Sequence, residues 1–138
     1  VTLISRATIT SELLDAVRAE YGISWDAEPR DCGGVNLNVH LAAADGGHVV
    51  RVYAPWTSSE RSAAIQSVRA SLVGAGLPFV LPLAARSGGG FITFEGRVVE
   101  VEPYRPGDNM TIEQLPIGVA MLARVHDALR TIDGGPHA

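Results

Sequence analysis

Lysine is absent: all 11 basic residues of this 138-residue chain are arginine. A compositional bias is enough to produce that, yet it removes every mechanism that needs a lysine amine, including Schiff-base chemistry and the phosphate-binding lysine of a P-loop. Cysteine is nearly absent too. The single Cys32 excludes an internal disulfide and any multi-cysteine metal site, and it reads as an inert, semi-buried thiol. His40, His48, His126 and His137 show no HExxH or paired ligand spacing, so no zinc site is expected. No apolar run is long enough to cross a bilayer, and VTLISRATIT lacks the basic start and apolar core of a secretory signal. A cytoplasmic chain without membrane contact is therefore expected. A net charge of −4 with no basic stripe argues against nucleic acid as a partner. GGGF and DGG form neither a Walker loop nor a dinucleotide-binding loop, and no GxSxG elbow occurs.

What is present fits one domain with a single core. A chain of this length buries roughly two-thirds of its unfolded surface. Leu13, Leu14, Val17 and Tyr21 fall at helical spacing between a Thr or Ser cap and Gly22, which predicts an amphipathic helix from about Thr10 to Tyr21. After it, GGVNLNVHLAAADGGHVVRVY holds two extended runs joined at Asp45-Gly46-Gly47, with a third strand upstream between 26 and 32. Thr57 and Glu60 have capping-box spacing ahead of Ala64, Ile65, Val68 and Leu72, a second helix that ends by Gly74 to Gly76. LPFVLPLAA reads as a strand interrupted by Pro82, and FITFEGRVVEVEPY as a hairpin turning at Glu95-Gly96. Leu115, Val119, Leu122, Val125, Leu129 and Ile132 then mark a long amphipathic helix, started afresh at Pro116 and ending at Gly134. The expected class is α+β: an antiparallel sheet of about five strands, a helix after the third, and flanking N- and C-terminal helices.

Within this pattern HVVRVYAP stands out, because Arg51 interrupts an apolar strand. An unpaired cation there is costly, so something anionic must meet it. Two partners fit: a ligand phosphate, held by the planar fork of guanidinium donors, or a nearby carboxylate at a sheet edge.

The order and spacing of several phrases carry a resemblance. GGVNLNVHLAAADGGHVVRVY is similar to the nucleotide-binding hairpins of the aminoglycoside phosphotransferase and choline kinase family, GAGLP to the loop after its first lobe helix, and EPYRPGDNM to its interlobe hinge. ARVHDAL resembles the helix that follows. The likeness spans roughly residues 10–132, and it is to the N-terminal lobe of that family. It implies an ATP-binding lobe in which Arg51 takes the place of the phosphate-binding lysine. Gly33 and Gly34 would let the backbone approach the phosphates, with Asn36 and Asn38 adding donors. The segment Glu102-Pro103-Tyr104-Arg105 would be the hinge that reads adenine, through the Pro103 carbonyl and the Arg105 amide. A glycine pair is equally a plain turn, and Arg105-Pro106-Gly107 turns in any fold.

The departures from that family are as informative. Its lysine is missing, and no Asp or Glu lies between Glu60 and Glu95 to supply the acidic helix residue that positions it. Gln66 is the nearest polar substitute, and Arg51 is expected to lack a positioning partner before ligand arrives. No HGD-type loop or IDF- or DFG-like motif occurs, so the catalytic base and the magnesium ligands are absent from these residues. His126-Asp127 lies inside the last amphipathic helix, where the family's similar LH pair is structural, so the resemblance implies no catalytic role for it. Three readings follow: the nucleotide lobe of a kinase whose second lobe acts in cis or in trans, a non-catalytic module that binds a protein or itself through the former interlobe face, or another α+β binder of a small ligand.

Overall fold

Local signals in the chain set where the first helix begins and ends. The computed structural model describes residues 6–132. α1 (Ser11–Tyr21) opens at Thr10, whose hydroxyl accepts the Leu13 amide at 3.1 Å, and closes at Gly22, whose φ of 61° lets the chain leave the helix. Its Leu13 and Val17 face the sheet.

Five strands form that sheet: β1 (Arg30–Asp31), β2 (Leu37–Leu41), β3 (His48–Val52), β4 (Ile92–Phe94) and β5 (Arg97–Pro103), in the order β1-β2-β3-β5-β4 with every pair antiparallel. Side chains alternate along each strand, so the register sorts them into two unlike faces. On one, Leu37, Val52 and Val99 lie abreast, as do Val39, Val50 and Val101, and together with Leu41, Leu13 and Val17 they make the apolar core. Burial of each of these side chains contributes about 1.5–3 kcal/mol. On the other face Asn38, Arg51 and Glu100 lie abreast, and α2 (Ser59–Gly74) crosses that side.

The β4–β5 hairpin turns at Glu95 and Gly96, with φ of 49° and 74°, the paired positive values of a tight two-residue turn. Other expectations are corrected. The cap of α2 is Ser58, which accepts the Arg61 amide at 3.1 Å, not Thr57 one residue earlier. Residues 77–85 form a loop rather than a strand. Cys32 is exposed rather than semi-buried.

α3 (Leu115–Thr131) follows a single 3-10 turn, with Pro116 in its first helical turn. The expected end at Gly134 lies outside the described residues. The helix touches α2, and its Leu115, Val119, Leu122 and Leu129 stripe is exposed.

Candidate functional site

On the α2 face of the sheet, four charged side chains converge. Arg51 projects from β3, the middle strand of the sheet, and the pairing of β3 with β5 sets Glu100 directly opposite it and Glu102 opposite Val49. Arg51 Nη2 donates to Glu102 Oε1 at 3.3 Å, and its Nη1 stands 4.0 Å from Glu100 Oε2. From β2, Asn38 Oδ1 accepts the Arg51 Nε proton at 2.9 Å. α2 closes the group from above. Arg69 Nη1 donates to Glu100 at 3.2 Å, and its Nη2 to Glu102 at 2.9 Å and to the Val80 carbonyl at 2.6 Å. Gln66 Nε2 donates to Glu100 Oε1 and to the Gly90 carbonyl, both at 2.8 Å. Tyr53 O–H completes the shell of Glu100 at 3.1 Å.

The Glu100 carboxylate is 1% exposed, and burial at that depth is costly unless its oxygens are hydrogen-bonded; here they accept from Tyr53, Gln66 and Arg69. Burial disfavours the charge on Arg51, but hydrogen bonding with Tyr53 and the charges of Glu102 and Glu100 outweigh it, so its pKa is raised. The Tyr53 phenol is also pushed up, chiefly by burial. Arg51 is thus held before any ligand arrives, contrary to the expectation that it lacks a positioning partner. The carboxylates that hold it come from β5 instead of the helix.

The glycine loop joins the same network. Gly33 and Gly34, with φ of 82° and 107°, form the turn between β1 and β2, and Asn38 Nδ2 donates to the Gly33 carbonyl at 3.1 Å and the Asn36 carbonyl at 3.3 Å. The Asn38 side chain therefore ties this loop to Arg51. Asn36 Oδ1 accepts the Ala54 amide at 3.0 Å, anchoring the start of β2 to the end of β3. Arg6 grips the loop from outside. It forms a two-pronged ion pair with Asp31 at 2.6 and 2.7 Å, and donates to the Gly34 and Asn36 carbonyls. The hydrogen bond from Arg6, helped by one from the Gly33 amide, lowers the Asp31 pKa to about 2.

Pro103, Tyr104 and Arg105 continue directly from Glu102. Pro103 ends β5, the Tyr104 amide donates to the Gly47 carbonyl at 3.0 Å, and Arg105 is exposed. The Tyr104 ring stacks on His40 with centroids 3.9 Å apart and planes 25° off parallel. Arg51, Asn38 and Gly33 are therefore linked bond by bond, and the 103–105 segment adjoins them through Glu102. Asn36 serves the hairpin backbone.

Sequence reasoning missed Glu100, Arg69 and Arg6, and it placed Glu102 in the hinge segment without its pairing to Arg51 and Arg69. The alternation in VVEVEP was the available signal, since it puts both glutamates on one face and Val99 and Val101 on the other.

A hollow of about 280 Å³, walled by Arg6, Thr8, Leu13, Val52 and Phe94, lies on the apolar side of the sheet, and Arg51 is not part of its lining.

An α+β lobe with this sheet order, a glycine turn ahead of β2, a cation in β3 and a helix crossing behind it is kinase-lobe-like in fold. The same fold occurs in the crystal structure of the spectinomycin phosphotransferase APH(9)-Ia in complex with ADP and spectinomycin, with a TM-score of 0.63 and 13% sequence identity over 85% of this chain. This chain spans 37% of the length of that protein. At that identity the likeness is one of fold. No family model matches the chain, and no curated protein matches it.

Proposed function

We propose that this chain is the nucleotide-binding lobe of a small-molecule kinase of the aminoglycoside phosphotransferase type, with ATP as its ligand. The observation that carries this reading is Arg51: a cation at the centre of the sheet, 29% exposed, fixed by Asn38 and joined through it to a glycine turn. A guanidinium so placed can hold two phosphate oxygens, and charge-assisted bonds of this kind contribute about 1.5–3 kcal/mol each. Gly33 and Gly34 would lie along the phosphates, and the Pro103 carbonyl and Arg105 amide would meet the adenine edge.

The lobe binds and orients, and the rest of the reaction needs more. No group of three His, Cys, Asp or Glu residues that could hold a metal ion occurs among the described residues, and Glu100 and Glu102 are engaged by arginines. Magnesium ligands, catalytic base and acceptor pocket would come from a second lobe, on the same chain or another. Phosphoryl transfer depends on positioning and charge neutralisation, so these residues alone are not expected to catalyse it.

Isothermal titration with ATP and magnesium tests the reading. We expect measurable binding by the wild type and roughly tenfold weaker binding by Arg51→Ala, in line with the loss of one charge-assisted contact. Equal binding, or none in either, overturns it.

The exposed apolar stripe of α3 favours a second reading, a non-catalytic module that self-associates or docks a protein partner through the former interlobe face.

A further inference from the structure

Arg51 meets more negative charge than it can answer alone. Glu100 and Glu102 both approach it, and a guanidinium committed to two carboxylates has little left for a third anion. Arg69 alters that balance. It stands 3.2 Å from Glu100 and 2.9 Å from Glu102, closer to each than Arg51 is. Two guanidinium groups and two carboxylates make the cluster formally neutral.

We propose that Arg69 is the positioning residue of the nucleotide site: by holding both β5 carboxylates from the helix side, it lets Arg51 exchange Glu102 for a phosphate oxygen without stranding a buried charge. This rests on the nucleotide reading above. The polarity is the reverse of a strand cation fixed by an acid on the helix, because here β5 carries the acids and α2 carries a second cation. On phosphate arrival Arg51 Nη2 turns from Glu102 to the ligand, while its Nε stays on Asn38. Glu102 keeps Arg69, and Glu100 keeps Arg69, Gln66 and Tyr53. The two arginines thus have separate duties. Without Arg69, Arg51 would stand between two carboxylates in a cluster of net charge −1, which both locks it and repels a triphosphate.

The test is calorimetric titration of the full chain with ATP and with adenosine, for the wild type, Arg69→Met, Glu102→Gln and the double variant. We expect Arg69→Met to weaken ATP roughly tenfold, the size of a coupled charge pair, and to leave adenosine unchanged. Adding Glu102→Gln to it restores neutrality and recovers most of the loss. If Arg69 serves only as scaffold, adenosine weakens equally and Glu102→Gln gives no rescue, and the proposal falls. ATP binding by Arg69→Met as tight as the wild type also overturns it. Should Arg69→Met fail to fold, Glu102→Gln alone decides, because it removes the competitor of Arg51: tighter ATP binding than the wild type supports the proposal, and equal or weaker binding overturns it. A wild type that binds no ATP, or binds it regardless of Arg51→Ala, overturns the nucleotide reading itself and the proposal with it, whereas an Arg51-dependent site indifferent to Arg69 defeats the proposal alone.

Discussion

A buried phenol without a partner is a cost that the rest of the fold must offset. The Tyr21 hydroxyl is buried and has no hydrogen-bond partner among the described residues. Burial first, and then the charges of Glu20 and Glu100, push its pKa up to about 12. A folded pKa above the ordinary value of about 10 means that the native state keeps its proton after the unfolded chain has lost it. The resulting stability is fully present below about pH 10 and is lost as pH rises through about 12. Tyr21→Phe removes the titrating group, so we expect little change or a slight gain in stability at neutral pH. Thermal melts from about pH 9 to about pH 12 should show a shallower fall for the variant, by on the order of 1–2 kcal/mol. Parallel profiles would rule out the buried phenol as their cause. Arg51 belongs to the same scale and was legible at short range, because one cation in an alternating apolar run is anomalous. Its partners were not, since Glu102 lies 51 residues downstream and only the pairing of β3 with β5 brings it near. Arg69 was harder still, because nothing local distinguishes it from a solvated helix arginine.

The turn between β2 and β3 decides which residue faces Arg51, since a slip of one position would exchange Asn38 for an apolar neighbour. Gly47 guards that register. Its φ is 80°, and a Cβ there would run into the Leu41 carbonyl oxygen and lie 3.1 Å from the Ala42 and Ala43 backbone. Gly46, with φ of 105°, would project a Cβ into open space. We therefore expect Gly47→Ala to destabilise by about 3 kcal/mol or more and Gly46→Ala by only about 1 kcal/mol. Denaturant unfolding of the two variants measures the difference. Equal losses would show that backbone strain, and not the close approach to β2, dominates at this turn. The DGG turn, the Thr10 cap and the Glu95-Gly96 hairpin were readable because each is set by a few adjacent residues. The loop over 77–85 was misread as a strand, since its alternation is strand-like but strand status depends on an available edge. β4 covers β5 up to Val99, Pro78 and Pro82 have no amide hydrogen, and one bond, Leu83 N–H to the Val101 carbonyl at 2.7 Å, reaches the remainder.

At the scale of the molecule, the question is what the amphipathic stripe of α3 is for. Spacing alone predicts the stripe, and a stripe of that kind ordinarily faces a core. Here Gly118, Met121, Val125 and Ala128 are the partly covered side, while Leu115, Val119, Leu122 and Leu129 are 49%, 58%, 54% and 41% exposed. Ile112 and Ile117 are also exposed, at 82% and 70%, but Ile117 stands on the opposite side of the helix from the stripe. Sequence periodicity reports that a helix has an apolar face but not which body covers it, so this feature was half legible. An apolar helix stripe left this exposed favours association. We expect sedimentation velocity to show reversible self-association of the chain between micromolar and millimolar concentration. Replacing Val119 and Leu122 with Glu should return it to monomer, and because both side chains are already exposed, stability should change by no more than about 0.5 kcal/mol. A wild type that stays monomeric at the highest concentration would remove self-association as the stripe's role, and the covering body would then have to be a different surface, such as the second lobe that the nucleotide reading requires.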